Sequence, residues 1–245
     1  MYSFRHVPIY LNADISNSVF VCKPYFDISF SGLAEAAFPR LDRVPNRGAW
    51  EDSRMTEDRF GPDVDVAAAA FIHPTAQIYG DVRAAEGVTI WPNVVMRAES
   101  HVIRIGARSN IQDFVMIHVG AGTGTIIGED CSITHHCTLH GCRIGDRVLV
   151  GIGSTIMDGC EIGENSIIAG HAFLKEGTVI PPNSVVMGAP GVVTRQRDSG
   201  VANAFNAWMY VQNGLAYARG EHRHWSSPAF AEAARTERER LARGG

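Results

Sequence analysis

The feature that most constrains this chain is a hydrophobic repeat with a period of six residues. From residue 144 onward, nine consecutive positions spaced by six carry a branched aliphatic residue. They are Ile144, Val150, Ile156, Ile162, Ile168, Leu174, Ile180, Val186 and Val192. A small or β-branched residue stands two positions before seven of them. An amphipathic helix would repeat about every 3.6 residues, so the pattern argues against a helical array.

A hexapeptide repeat predicts a parallel β-helix, in which each six residues form a short strand and a corner. Three such sides make one coil of about 18 residues, with the aliphatic and small residues pointing inward. The same period appears earlier with three slips, at 97–104, in the glycine-rich 120–126, and as a five-residue step before Ile144. We interpret the slips as loops that bulge from the regular wall. Residues 72–194 then predict about seven coils.

The segments on either side of the repeat differ from it. Residues 1–65 contain no repeat, and we expect an N-terminal extension that is irregular or partly disordered. Residues 66–195 are the predicted β-helix domain. Residues 196–245 are a predicted C-terminal helical segment, with apolar residues at helical spacing over 201–219 and a charge-rich second helix over 228–243. Such a helix would cover an open end or a flank of the β-helix, where unpaired strand edges favour aggregation.

Composition excludes several kinds of partner. The net charge of −4 and the pI of about 6.2 argue against nucleic acid and anionic membranes, both of which favour a basic surface. No apolar run approaches the roughly 20 residues of a membrane helix, and the N-terminus lacks the pattern of a signal peptide. Five cysteines without a spaced framework indicate a reducing compartment, so we expect a cytoplasmic protein. We interpret Cys131, Cys137, Cys142 and Cys160 as core residues.

Four of the ten histidines lie within residues 116–142, among isoleucines and glycines. His118 follows Ile117 and His140 follows Leu139, and the two aliphatic residues fall on the same side of successive coils. The repeat therefore predicts that the two imidazoles stack about 4.8 Å apart, one strand spacing, which is close enough to share a metal ion.

A third histidine, His135, lies two residues after Ile133 on a different side of the predicted coil. It does not easily reach the same ion within its own chain, but a neighbouring copy in a three-fold ring would bring it there. Three imidazoles with an open fourth position are a ligand set of catalytic zinc. The alternative is that these are solvated surface histidines. His136 has no register relationship with the others, and His171 is interpreted as structural.

Several stretches resemble the γ-class carbonic anhydrases: 91–100 (WPNVVMRAES), 104–119 (RIGARSNIQDFVMIHV), 134–154 (THHCTLHGCRIGDRVLVGIGS) and the closing 185–195 (VVMGAPGVVTR). The resemblance covers about residues 70–195. It implies a left-handed β-helix and a homotrimer with a Zn²⁺, Fe²⁺ or Co²⁺ ion at each subunit interface. The implied ligands are His118 and His140 of one chain and His135 of the next.

The resemblance also implies roles for polar residues around the metal. Arg97 and Asp113 correspond to an interface ion pair, which the acid Glu99 joins. The alternative is that these three residues form only a salt-bridge set of the trimer. Asn110 and Gln112 correspond to polar residues beside the metal-bound water. Gln112 is the better catalytic candidate, because an amide orients hydroxide without titrating.

The chain departs from that family at the site itself. The usual Arg-Gly-Asp is RAE at residues 97–99, and Phe114 stands where glycine is common. After His118, the short GAGTGT at 120–125 replaces a long acidic loop that carries a glutamate proton shuttle. We expect metal binding to survive this loss better than fast turnover. His101 is the candidate proton relay. The alternative is that it is a surface histidine without a role in the reaction.

These features predict a lyase of the carbonic anhydrase type that hydrates CO₂ reversibly to bicarbonate. A three-histidine metal lowers the pKa of bound water to about 7, and the hydroxide attacks CO₂. One alternative is a hexapeptide acyltransferase that uses acyl-CoA and one histidine as general base. Another is a catalytically weak metal-binding or assembly subunit, which the acid-free loop favours.

Overall fold

The computed structural model of the chain describes residues 60–243, so most of the predicted N-terminal extension lies outside the described residues. The described part contains 18 strands and two α-helices. The strands are β1 (Phe71–Ile72), β2 (Gln77–Ala84), β3 (Thr89–Ile90), β4 (Val95–Ile105), β5 (Asn110–Ile111), β6 (Met116–His118), β7 (Thr125–Ile127), β8 (Ser132–Ile133), β9 (Thr138–His140), β10 (Arg143–Ile144), β11 (Leu149–Val150), β12 (Thr155–Ile156), β13 (Glu161–Ile162), β14 (Ile167–Ile168), β15 (Phe173–Leu174), β16 (Val179–Ile180), β17 (Ser184–Gly188) and β18 (Gly191–Gln196). The helices are α1 (Gly200–Ala218) and α2 (Pro228–Ala242), with a 3-10 turn at His224–Ser226 between them.

The strands form a parallel β-solenoid of about six turns, which confirms the mainly β fold predicted from the repeat. The expectation of about seven coils was slightly too high. One eight-stranded sheet follows the order β1-β3-β5-β8-β11-β14-β17-β18. A ten-stranded sheet supplies the other two sides, because the long strand β4 pairs with β6 in its first half and with β7 in its second.

The aliphatic column of the repeat forms the interior of the solenoid. Its first eight members, from Ile144 to Val186, are each at most 4% exposed, as the pattern predicts. The prediction for Val192 was wrong, since this side chain is 58% exposed. Val192 lies on β18, which turns back and pairs antiparallel with β17 instead of starting another coil.

We interpreted the slip at 97–104 as a loop, but the structure shows no separate loop at these residues. These residues belong to the continuous strand β4, which pairs with β2. The short step from Gly80 to Val82 on β2 is matched by the longer step from Ala98 to Ile103 on β4, so the extra residues form a bulge. The slip at 120–126 is different, because residues 119–124 lie in a loop between β6 and β7.

Helix α1 covers a flank of the solenoid, one of the two placements expected for the C-terminal segment. It contacts β1, β3, β5 and β8 of the eight-stranded sheet. Tyr217 meets the solenoid there, with its ring centroid 5.8 Å from that of Phe71 and 5.0 Å from that of Trp91. Helix α2 is capped by Ser227, whose hydroxyl accepts the Phe230 N–H at 3.1 Å. Of the helices in residues 60–243, none has the length and apolar character that crossing a bilayer requires.

The four cysteines assigned to the core are buried and free of disulfides: Cys131, Cys137, Cys142 and Cys160. Burial raises the pKa of the Cys131 and Cys142 thiols to about 12. Burial also raises the pKa of the Cys137 and Cys160 thiols. These groups therefore stay protonated at neutral pH.

We expect these thiols to be inert in the native protein, because the thiolate is the reactive form. A Cys22→Ser variant isolates them from Cys22, which lies outside the described residues. At about pH 8, a thiol reagent should leave the folded variant unmodified and react with all four cysteines after denaturation. A rapidly modified cysteine in the folded variant would contradict the buried positions.

Candidate metal centre

The candidate site is built on the pairing of two short strands. β6 and β9 are parallel neighbours, and His118 lies opposite His140. The two ring centroids are 5.0 Å apart, and the ring planes are inclined by 56°. The side chains are 24% and 27% exposed, so both rings are accessible from the surface. The structure thus brings together the two histidines that the period of six had placed side by side.

A carboxylate contacts the outer nitrogen of each ring. Glu99 Oε2 lies 3.0 Å from His118 Nε2, and Asp158 Oδ1 lies 2.9 Å from His140 Nδ1. Such partners fix the tautomer and the orientation of histidines that bind metals. Sequence reasoning had singled out Glu99 but missed Asp158. The available signal was its spacing, because Asp158 follows His140 by 18 residues, which is one coil of the repeat.

The inner nitrogens, His118 Nδ1 and His140 Nε2, face each other at 3.0 Å. A neutral imidazole carries a single N–H. If each ring donates that N–H to the carboxylate at its outer nitrogen, both inner nitrogens present lone pairs, which a metal cation between them would bind. The donor set therefore fits a divalent ion that binds imidazole, such as zinc.

His135 lies on a different side of the solenoid, just after β8, as its register predicts. Its Nδ1 lies 3.0 Å from Asp113 Oδ2. Asp113 was expected to form an ion pair with Arg97 between subunits, and within one chain its partner is His135. Residues 60–243 contain no group of three His, Cys, Asp or Glu side chains placed to hold a metal ion. A third protein ligand for the His118–His140 pair would therefore have to come from outside this part of the chain.

Arg97 and Glu99 form a charged pair beside His118. Arg97 on β4 is the paired neighbour of His118 on β6, and its guanidinium contacts the Glu99 carboxylate. The pKa of the Glu99 carboxyl lies below its ordinary value, because its own backbone N–H, His118 and Arg97 stabilise the charged form. Glu99 thus bridges the guanidinium and the imidazole as an anion.

The predicted amides, Asn110 and Gln112, are buried and form a hydrogen-bonded chain with α1. Gln112 Nε2 donates to Asn110 Oδ1 at 2.9 Å, and Asn110 Nδ2 donates to Ser132 Oγ at 2.9 Å. Ser132 Oγ in turn donates to Asn206 Oδ1 at 2.8 Å. Asn110 Nδ2 also donates to the Cys131 carbonyl oxygen at 3.2 Å, and Gln112 Oε1 is the end of the chain that has no partner among the described residues. Sequence reasoning missed both Ser132 and Asn206.

The corner that carries His135 is held by its neighbour in the preceding turn. The Phe114 ring stacks on His136, with centroids 4.9 Å apart and planes inclined by 2°. The backbone N–H of His136 donates to Asp113 O at 3.1 Å. His136, which had no role in the register argument, therefore helps to position the residue before it.

The short loop after His118 packs around the carboxylate of Asp158. A Cβ added at Gly120 would lie 2.1 Å from Asp158 Oδ1, and one added at Gly141 would lie 2.2 Å from it. These glycines leave room for the carboxylate that contacts His140. His101, the candidate relay, lies against the same loop, with Nε2 3.4 Å from the Ala121 carbonyl oxygen.

Comparisons with known proteins place the chain among hexapeptide-repeat proteins. The family model of the bacterial transferase hexapeptide (six repeats) matches residues 141–176. "Protein YrdA" of Escherichia coli (strain K12) is 45% identical over 100 residues, which are 38% of this chain and 54% of that protein. "Gamma carbonic anhydrase 1, mitochondrial" of Arabidopsis thaliana is 37% identical over 95 residues, which are 36% of this chain and 34% of that protein. The chain thus spans about half of the first relative and about a third of the second.

A solved structure extends the similarity over a larger share of the chain. The hexapeptide transferase family protein from Anaplasma phagocytophilum superimposes with a TM-score of 0.55 at 31% sequence identity. The match covers 63% of this chain and 89% of that protein. The repeat, the parallel solenoid and these relatives define a hexapeptide-repeat protein. The chain thus belongs to the hexapeptide-repeat family, and part of it is similar to γ carbonic anhydrases.

Proposed function

We propose that the protein hydrates CO₂ reversibly to bicarbonate at metal centres shared by the subunits of a homotrimer. The ligands are His118 and His140 of one chain and His135 of a neighbouring copy. The observation that carries the proposal is the pair of imidazole nitrogens that face each other at 3.0 Å, with a carboxylate behind each ring. Zn²⁺ is the proposed ion, with Fe²⁺ and Co²⁺ as alternatives. The similarity to a named γ carbonic anhydrase supports both the activity and a metal.

When bound, the metal supplies a Lewis acid that lowers the pKa of a water ligand to about 7. The protein groups orient the metal ligands and balance the charges beside them. Glu99 and Asp158 orient the two imidazoles, and Arg97 balances the charge of Glu99. Gln112 Oε1 accepts a hydrogen bond from water or substrate, because the nitrogen of the same amide is committed to Asn110.

The proton that hydration releases must leave through this chain's own groups. The loop of residues 119–124 (VGAGTG) contains no titratable side chain. His101 lies against this loop and is the proposed relay to solvent. A single half-buried imidazole replaces an acidic loop in this role, so we expect proton transfer to limit turnover at low buffer concentration.

A hexapeptide acyltransferase is the second candidate function. The observation in its favour is the 31% identity to a hexapeptide transferase family protein over 89% of that protein's length. A single general base would serve such a reaction. It would not explain the two histidines paired across strands with a carboxylate behind each.

The test is to purify the full chain without an affinity tag and to measure its oligomeric state, metal content and CO₂ hydration by stopped flow. We expect a trimer with about one metal ion per chain and hydration activity that chelation removes. Metal without hydration would instead support a binding or assembly subunit. Acetyl-CoA binding by a metal-free protein would support the acyltransferase and overturn the proposal.

A further inference from the structure

A cleft outside the proposed metal centre lies where β18 ends, α1 begins and α2 passes by. Its volume is about 680 Å³, and its lining includes Arg197, Asp198, Ser199, Val201, Phe205 and Arg238. Small-molecule sites typically have volumes of about 300–1,000 Å³. The cleft is therefore large enough for a ligand of several functional groups.

Backbone N–H groups at the start of α1 point to an anion. The first hydrogen bond along the helix runs from Asn203 N–H to Ser199 O at 2.9 Å. Gly200 N–H donates to Asp198 Oδ1 at 2.8 Å, but the N–H groups of Val201 and Ala202 have no partner among the described residues. A helix N-terminus with free N–H groups carries about half a positive charge and attracts oxyanions.

Ser199 is a second and independent sign of a missing partner. It is only 3% exposed, and within residues 60–243 its hydroxyl is the one buried side-chain nitrogen or oxygen without a hydrogen bond. Serine at this position usually caps the helix by accepting a backbone N–H, and Ser199 does not. Since unsatisfied buried hydroxyls are unfavourable, a ligand oxygen that accepts from Ser199 would stabilise this arrangement.

Two arginines add positive charge to the same cleft. Neither Arg197 nor Arg238 contacts a carboxylate in the part of the chain that the structure describes. The Arg238 guanidinium carbon lies 4.5 Å from the centroid of the Phe205 ring, and the residue is exposed to solvent. Arginine is well suited to bind phosphate, because its planar donors match the oxygens of the anion.

Apolar surface lines the rest of the cleft. Val201 is 55% exposed there, although it belongs to a helix whose other face is buried. We propose that the cleft binds a small molecule that joins a phosphate group to an apolar or aromatic group. The phosphate contacts the N–H groups of Val201 and Ala202, the Ser199 hydroxyl and the two arginines, and the apolar group contacts the exposed side chains of Val201 and Ala202.

The test is calorimetric titration of the full chain with phenyl phosphate, inorganic phosphate and phenol at constant ionic strength. We expect phenyl phosphate to bind more tightly than inorganic phosphate and phenol not to bind. The Arg197→Gln/Arg238→Gln double variant should weaken binding at least about tenfold, because charge-assisted hydrogen bonds are lost. Asp198→Asn should tighten binding, since it keeps an oxygen for Gly200 N–H and removes a repelling charge.

Arg104→Gln/Arg143→Gln is the matched control, because it also removes two arginines, which lie on β4 and β10 in the other sheet and lack a carboxylate partner among the described residues. Equal loss in the two double variants would reduce the effect to net charge and overturn the proposal. Phenol binding as tightly as phenyl phosphate, or no saturable binding of either phosphate, would also overturn it. Metal content should be the same in all these variants, so the outcome is independent of the proposed metal centre.

Discussion

His135→Ala is expected to abolish metal binding and CO₂ hydration while the solenoid stays folded. His135 lies at a partly exposed corner and fills no core position. Losing one of three protein ligands should cost more than the roughly 10- to 100-fold loss typical of an outer-shell partner. The measurements are metal per chain, hydration rate and thermal unfolding. His136→Ala is the matched control, because it removes the adjacent imidazole without removing a ligand.

A mixing experiment tests whether the site is shared between copies. Chains with His135→Ala and chains with His140→Ala each lack one ligand of every site. In trimers reassembled from equal amounts, about one quarter of the interfaces combine an intact His118–His140 pair with an intact His135. Metal binding and hydration should return to about that fraction of the wild-type values. If mixing restores neither, His135 does not complete the site of a neighbouring copy.

Asp158→Asn is expected to weaken metal affinity by about 10- to 100-fold, because a neutral amide orients the His140 imidazole less strongly than a carboxylate does. The affinity can be measured by competition with a chromophoric chelator, a readout that does not depend on catalysis. Thermal unfolding should change little, since the substitution keeps the size of the side chain.

Asp146→Asn controls for the loss of an aspartate carboxylate elsewhere in the solenoid. Asp146 Oδ1 accepts a hydrogen bond from the Glu129 backbone N–H at 2.9 Å, and it bonds to no histidine within residues 60–243. This variant should keep wild-type metal affinity. Equal affinities for the Asp158 and Asp146 variants would show that Asp158 plays no part in holding His140.

The interior of the solenoid was predictable because each inward position depends on local chemistry repeated every six residues. That rule fails at Val192, which has the right residue type at the right spacing but lies on a returning strand. Periodicity reports the size and polarity of a side chain, and it does not report the direction of the backbone. The stretch GAPG at 188–191 was the available turn signal, since such glycine and proline clusters mark chain reversals.

The candidate site was predictable from the sequence only where strand register determines which side chains are neighbours. His118 and His140 are neighbours because strand pairing aligns equivalent positions of consecutive turns. The chain of amides is different, because Ser132 and Asn206 are separated by 74 residues and meet only through the docking of α1. No spacing rule connects a helix to a particular turn of the solenoid. The partner of Asp113 likewise depends on side-chain direction at a corner.

The loop of residues 119–124 and the strands beside it differ in how well they tolerate changes of sequence and length. The alignment of His118 with His140 is set by backbone pairing between β6 and β9, and the loop leaves the wall only after β6 has ended. Insertions at the exposed tip of this loop, between Ala121 and Gly122, would project outward without shifting the strands on either side. Evolution can therefore exchange the groups that carry protons away while the residues beneath them stay in place. The site is modular in this sense, and a designer could graft loops of different length and acidity onto one unchanged scaffold.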